Sequence, residues 1–161
     1  MRIEIDQSGR IEETQRNTVL AYSNGKNYAI KISSRTKRRL QDIFRQIGVP
    51  RTFVYNIFIS AIFLLIEKDI KNIDHITIDN EYPGYEKVIA RILTKILNSK
   101  DIKRQPIISF GLIGKKSKAH KKAIKVYRNK DDIFEPISYE QLVKENIVIK
   151  NGYPALKYPV D

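Results

Sequence analysis

The run Arg2-Ile3-Glu4-Ile5-Asp6-Gln7-Ser8-Gly9 alternates apolar and polar side chains and ends on a carboxylate and a glycine. A strand of period two sets Ile3 and Ile5 on one face and Arg2, Glu4 and Asp6 on the other, with Ser8-Gly9 supplying turn chemistry. The chain is predicted to return through Thr18-Val19-Leu20-Ala21-Tyr22, turn at Ser23-Asn24-Gly25 and run back through Tyr28-Ala29-Ile30-Lys31-Ile32. Three antiparallel strands with an acid at the tip of the first need a layer to pack on. The rest of the chain supplies helices and two further strands.

Ser33-Ser34 offers an N-cap to a helix in which Leu40, Ile43, Phe44 and Ile47 keep i, i+3, i+4, i+7 spacing, and Gly48 and Pro50 end it. The next helix, about Arg51 to Ile70, is apolar on nearly all sides and is predicted to be the most buried. Its apolar stretch, Phe53 to Ile66, spans 14 residues and carries Asn56 and Ser60, too short for a membrane span. Ile73 to Asp79 reads as a fourth strand that again ends on a carboxylate. Asn80-Glu81-Tyr82-Pro83-Gly84 then turns into a helix with Val88, Ile89, Ile92, Leu93, Ile96 and Leu97 on one face and Lys87, Arg91 and Lys95 on the other.

Pro106 to Ile113 is the fifth predicted strand. Gly114-Lys115-Lys116-Ser117 leads from it into a very basic helix reaching about Asn129, with Ala119, Ala123 and Val126 as a narrow stripe. Asp131 to Pro136 reads as a linker, Ser138 to Glu145 as a short helix and Val148 to Asp161 as a tail. The expectation is one domain over 1–130, with 131–161 appended as linker, helix and tail. At 161 residues and 42% hydrophobic side chains, one core is affordable and two are not.

The chain has no Cys, which excludes disulfides and thiolate metal sites and leaves carboxylates or His for any metal. That composition, with no basic head leading an apolar segment, fits a cytoplasmic protein with no membrane partner. Thirty Lys and Arg against 18 Asp and Glu give a formal +12. Residues 87–130 hold 14 basic side chains and one acid, Asp101, for +13, while the remainder has 16 basic and 17 acidic residues, or −1. An excess confined to one quarter of the chain points to a polyanion such as DNA or RNA. Its candidate contacts are Lys87, Arg91, Lys95, Lys115, Lys116, Lys118, Lys121, Lys122, Lys125 and Arg128. The plainer alternative is a solvated lysine-rich face.

A local meander followed by crossover units gives a mixed α/β sheet with helices on both faces. If the fourth strand lies parallel to the first, Asp6 and Asp79 emerge at one edge. Two neighbouring carboxylates repel unless a cation sits between them, and hard oxygen ligands select Mg2+ or Mn2+. Glu12, Glu13, Glu67 and Glu86 are further acids without a place. Each residue also has a plain role: Asp6 and Asp79 as turn residues, His120 as a surface side chain, Tyr82 and Tyr85 as packing in place of base stacking.

Asp6 ending the first of three meander strands, Asp79 or Glu81 ending the fourth, and a basic helix after the fifth resemble the ribonuclease H-like fold. That superfamily includes ribonucleases H, Holliday-junction resolvases and transposases. The resemblance covers about 1–130 and implies a five-stranded mixed sheet. The Asp6-Gln7-Ser8-Gly9 turn is similar to the acid-containing glycine turn of type 2 ribonucleases H, Gln7 standing where that family has a second acid. The implied activity is phosphodiester hydrolysis with two metal ions, one activating water and the other stabilising the leaving oxygen. The implied site is Asp6, Asp79 and Glu81 as metal ligands with His120 on the last helix, where some resolvase-like domains use a His. The family also uses acids on that helix, and this chain has none between Asp101 and Asp131. The alternative is therefore a catalytically inactive nucleic-acid-binding module of the same fold. A third class is a scaffold that joins a larger complex through the Tyr153 to Val160 tail, and a homodimer or larger complex is a further alternative for the partners.

Overall fold

The computed structural model describes residues 1–23 and 27–146. Asn24 and Gly25 of the expected turn lie outside these residues, as does the tail from Val148 that includes Tyr153 to Val160. Strands β1 (Arg2–Ser8), β2 (Thr18–Ser23) and β3 (Asn27–Ile32) form the antiparallel meander, with Asp6 opposite Ala21 and Ala21 opposite Ala29. β4 (His75–Asp79) lies parallel to β1, Ile5 beside Ile78, and β5 (Ile107–Gly111) lies parallel to β4, Asp79 beside Gly111.

The sheet has six strands, one more than the sequence predicts. The addition is β6 (Glu135–Pro136), parallel to β3, which completes the order β5-β4-β1-β2-β3-β6. Two residues, one of them proline, carry no alternation to read, and tertiary bonds define the strand. Ile137 N–H donates to the Lys31 carbonyl at 2.9 Å, and the Tyr28 hydroxyl donates to the Glu135 carboxylate.

The helices are α1 (Ser34–Gln46), α2 (Phe53–Ile66), α3 (Glu86–Ser99), α4 (Lys118–Tyr127) and α5 (Tyr139–Glu145). Ser33 caps α1, its hydroxyl accepting from Thr36 N–H. Every residue of α2 but Val54 is buried, and single 3-10 turns at Pro50–Thr52 and Ile70–Asn72 account for the longer helix expected from sequence. Among the described residues no helix is long and apolar enough to cross a membrane.

The alternation of β1 sorts the core into two layers. Ile3 and Ile5 join Leu20, Ile30, Ile76 and Ile78 against α1, α2 and α3 in the large apolar cluster. On the opposite face Val19, Ala21 and Ala29 cluster with Ala123 and Val126 of α4, and the half-buried Tyr127 and Phe134 pack against them. Small side chains there let α4 approach the sheet closely. Ser117 fixes its start twice, accepting from Ala119 N–H at 3.2 Å and donating to the Glu4 carboxylate at 2.6 Å.

Candidate metal centre

Parallel pairing of β1 and β4 brings Asp6 and Asp79 to the same sheet end, each one residue beyond the Ile5 and Ile78 pair. Glu81 follows a tight bend in which its N–H donates to the Asp79 carbonyl at 2.8 Å. One oxygen from each of Asp6, Asp79 and Glu81 lies within 4.8 Å of the others, a grouping that could hold a metal ion. Asp6 is buried, while Asp79 and Glu81 are half-buried.

The surrounding bonds hold these oxygens in place. Gln7 N–H donates to one Asp6 oxygen at 2.9 Å, and His120 Nδ1 stands 2.6 Å from the other. Ile113 N–H donates to Asp79 at 2.9 Å. Arg10 places its guanidinium 3.6 Å from the Glu81 carboxylate and donates to the Glu81 carbonyl at 3.1 Å. Burial raises the Asp6 carboxyl above its ordinary range, with the Asp79 charge adding to it, against the Gln7 and His120 hydrogen bonds that lower it. Glu81 is pushed up to about 7, first by burial, then by its hydrogen bond and charge contact with Asp79 and by the Asp6 charge. Carboxyls this strained by one another bind a proton or a cation more readily than isolated ones.

The loop that carries Arg10 is itself pinned. Lys37, fully buried on α1, donates to the Arg10 carbonyl at 3.0 Å, the Glu13 carbonyl at 2.7 Å and the Thr18 hydroxyl at 3.0 Å. Burial pulls its pKa down to about 8, yet three acceptors satisfy its three N–H groups. Gly9 starts the loop at φ +76°, where an added Cβ would sit 2.2 Å from the Asn17 carbonyl oxygen and 2.6 Å from the Tyr127 ring. Only glycine fits between the end of β1 and α4.

Gln7 turns to the other face and donates to the Tyr82 hydroxyl at 3.1 Å. Tyr82 packs edge-on against Phe58 and Tyr85 stacks on Tyr55, so both tyrosines are packing residues here. Glu86 braces the turn before α3 through Asn80 and Gly84 N–H. Glu12 pairs with Arg10, and neither Glu13 nor Glu67 belongs to the acid cluster.

Lys87, Arg91 and Lys95 on α3 are exposed, as are Lys115, Lys116, Lys118, Lys121, Lys125 and Arg128 on or next to α4. Lys122 departs from that expectation. It is buried and bonds to Asp131 at 2.8 Å, because its place beside the Ala119, Ala123 and Val126 row turns it inward. Arg10, Lys37 and the Ser117 to Glu4 bond escape a reading of the sequence. Of these only Arg10 had a signal, its place directly after the Gly9 turn. No family model, curated protein or solved structure matches the chain.

Proposed function

We propose that this chain is a divalent-metal-dependent nuclease or resolvase of ribonuclease H-like kind, hydrolysing nucleic-acid phosphodiesters at Asp6, Asp79 and Glu81. The observation that carries the reading is the convergence of those three carboxylates at the ends of two parallel strands. The donor set is all hard oxygen, which suits Mg2+ or Mn2+ and disfavours softer metals. Bound there, such an ion supplies Lewis-acid charge stabilisation to a phosphoryl group.

The chain's own residues have separate tasks. Gln7 N–H and His120 orient the Asp6 carboxylate, and Ile113 N–H orients that of Asp79. Arg10 offsets part of the negative charge at Glu81. The exposed cations of α4 lie near the acid end, since His120 of that helix meets Asp6, and they suit a phosphate backbone, whereas Arg91 and Lys95 of α3 lie beside Pro106 and Ile108 toward the other end of β5. The strand order β5-β4-β1-β2-β3 supports the superfamily assignment.

A second reading, the non-catalytic binding module, has its own support: His120 and Arg10 already contact two of the three carboxylates. Thermal melts separate the two. Millimolar Mg2+ is expected to raise Tm by several degrees, since a hundredfold excess over Kd stabilises by about 2.7 kcal/mol. Asp6→Asn should abolish both that rise and Mg2+-dependent cleavage while keeping nucleic-acid affinity. No rise in Tm for the unmodified protein assigns the chain to the binding module.

A further inference from the structure

We infer that Leu112 is an apolar wedge that enters between neighbouring bases of the nucleic acid held beside the acid cluster. The inference rests on nucleic-acid binding in the reading above and not on cleavage. Among the described residues the large apolar side chains standing in solvent are Ile107, Leu112 and Ile133, and Leu112 is the most exposed at 94%. Lone exposed leucines are ordinary on protein surfaces. This one is distinguished by how its backbone is held.

On one side of it the Gly111 carbonyl accepts from Asn80 N–H at 3.0 Å, and on the other Ile113 N–H donates to the Asp79 carboxylate at 2.9 Å. Both partners belong to the end of β4 that contributes Asp79 to the acid cluster. The Leu112 side chain therefore projects from a pinned position at the rim of that cluster, without packing of its own. The chain then passes through Gly114 at φ +75° to Lys115, Lys116 and Lys118, all exposed.

One apolar tip followed closely by three cations matches a ligand with an anionic outside and an apolar stacked inside. An apolar protein surface would leave the lysines without counter-charge, whereas a nucleic acid offers phosphates to them and a base step to the leucine. Architectural DNA-binding proteins use Leu, Ile, Met and Phe in this way, unstacking one step and kinking the duplex. The fixed offset between Leu112 and Asp79 would place the opened step next to the carboxylates. Leu112 is thus a positioning residue, selecting substrates whose bases part at low cost, such as mismatched, nicked or branched ones.

The test uses the full chain with Ca2+ in place of Mg2+ and short DNA and RNA duplexes carrying 2-aminopurine at successive positions. Its fluorescence rises when the base unstacks. The unmodified protein is expected to raise the signal at one position. Leu112→Ser should return it to that of the free duplex with Kd changed less than about threefold, because phosphate contacts carry the affinity. Leu112→Phe should restore the rise, and an unchanged Tm confirms the fold of each variant. Binding without a rise at any position overturns the wedge, as does a rise that survives in Leu112→Ser. Cleavage is measured separately with Mg2+, so a Leu112-dependent rise without cleavage sinks the nuclease and keeps the wedge. Failure to bind either duplex sinks both.

Discussion

On one face of the sheet Ile3, Ile5, Ile76 and Ile78 meet Phe58, Leu65 and the apolar row of α3, while on the other β1 shows Glu4 and Asp6 to α4, whose contact row is Ala119, Ala123 and Val126. The first layer is bulky and dry. The second is shallow, and its polar bonds, Ser117 to Glu4 and His120 to Asp6, do part of the docking. A carboxylate under the bulky layer would be desolvated without partners and would cost several kcal/mol. Under a helix of small residues it keeps both a histidine and an open side toward Asp79 and Glu81. The division of labour follows from the two-residue period of β1, which sends isoleucines one way and acids the other.

That contrast makes graded forecasts. Phe58→Ala should cost about 3–5 kcal/mol in denaturant unfolding, against about 1–2 kcal/mol for Val126→Ala, since fewer methyl groups leave a shallower layer. Equal losses would mean that the two faces share the stability evenly. Next in size is a pH effect centred on the acid cluster, where burial and mutual charge raise Glu81 and Asp6. Glu81 holds its proton up to about 7 in the folded chain, above its ordinary 4.5, so folding binds protons and stability falls as pH rises through that window. Melts across this range should show Phe58→Ala lowering the whole curve in parallel and Glu81→Gln flattening it. A curve already flat in the unmodified protein contradicts the crowding of the carboxylates. The smallest effect on stability, under about 0.5 kcal/mol, belongs to Lys121→Glu with Lys125→Glu. Their signature is instead in binding, which should weaken for all sequences alike with a log K against log salt slope lower by about 2. Unchanged binding in that double variant would remove α4 from the interface.

Much of this arrangement is legible in the amino-acid sequence. The alternation of Arg2 to Asp6 gives both the strand and its sidedness, and a second run ending at Asp79 invites the parallel pairing that sets the two acids together. Glu81 lies two residues beyond a strand, where only the shape of the bend decides whether the side chain returns. The partners of the carboxylates are harder, since His120 is 114 residues from Asp6 and meets it only once α4 docks. Local pattern also misleads within the basic helix. Lys122 looks like its neighbours, and its burial depends on Asp131 and on the rotation of the helix against β2. β6 has no local signature because backbone bonds to β3 define it, not its own residues.

The central position of β1 bears on how the chain is made. One of its edges is satisfied by β2, the next segment along, but the other waits for β4, with Arg2 pairing with His75. Until that segment has left the ribosome, the strand that carries Asp6 presents an open row of amides and carbonyls next to a half-built apolar layer. Nascent chains in that condition are exposed to mispairing with one another, and sequence-distant pairing slows its own completion. The arrangement that gathers the acids at one sheet end thus gives the growing polypeptide a long unguarded interval.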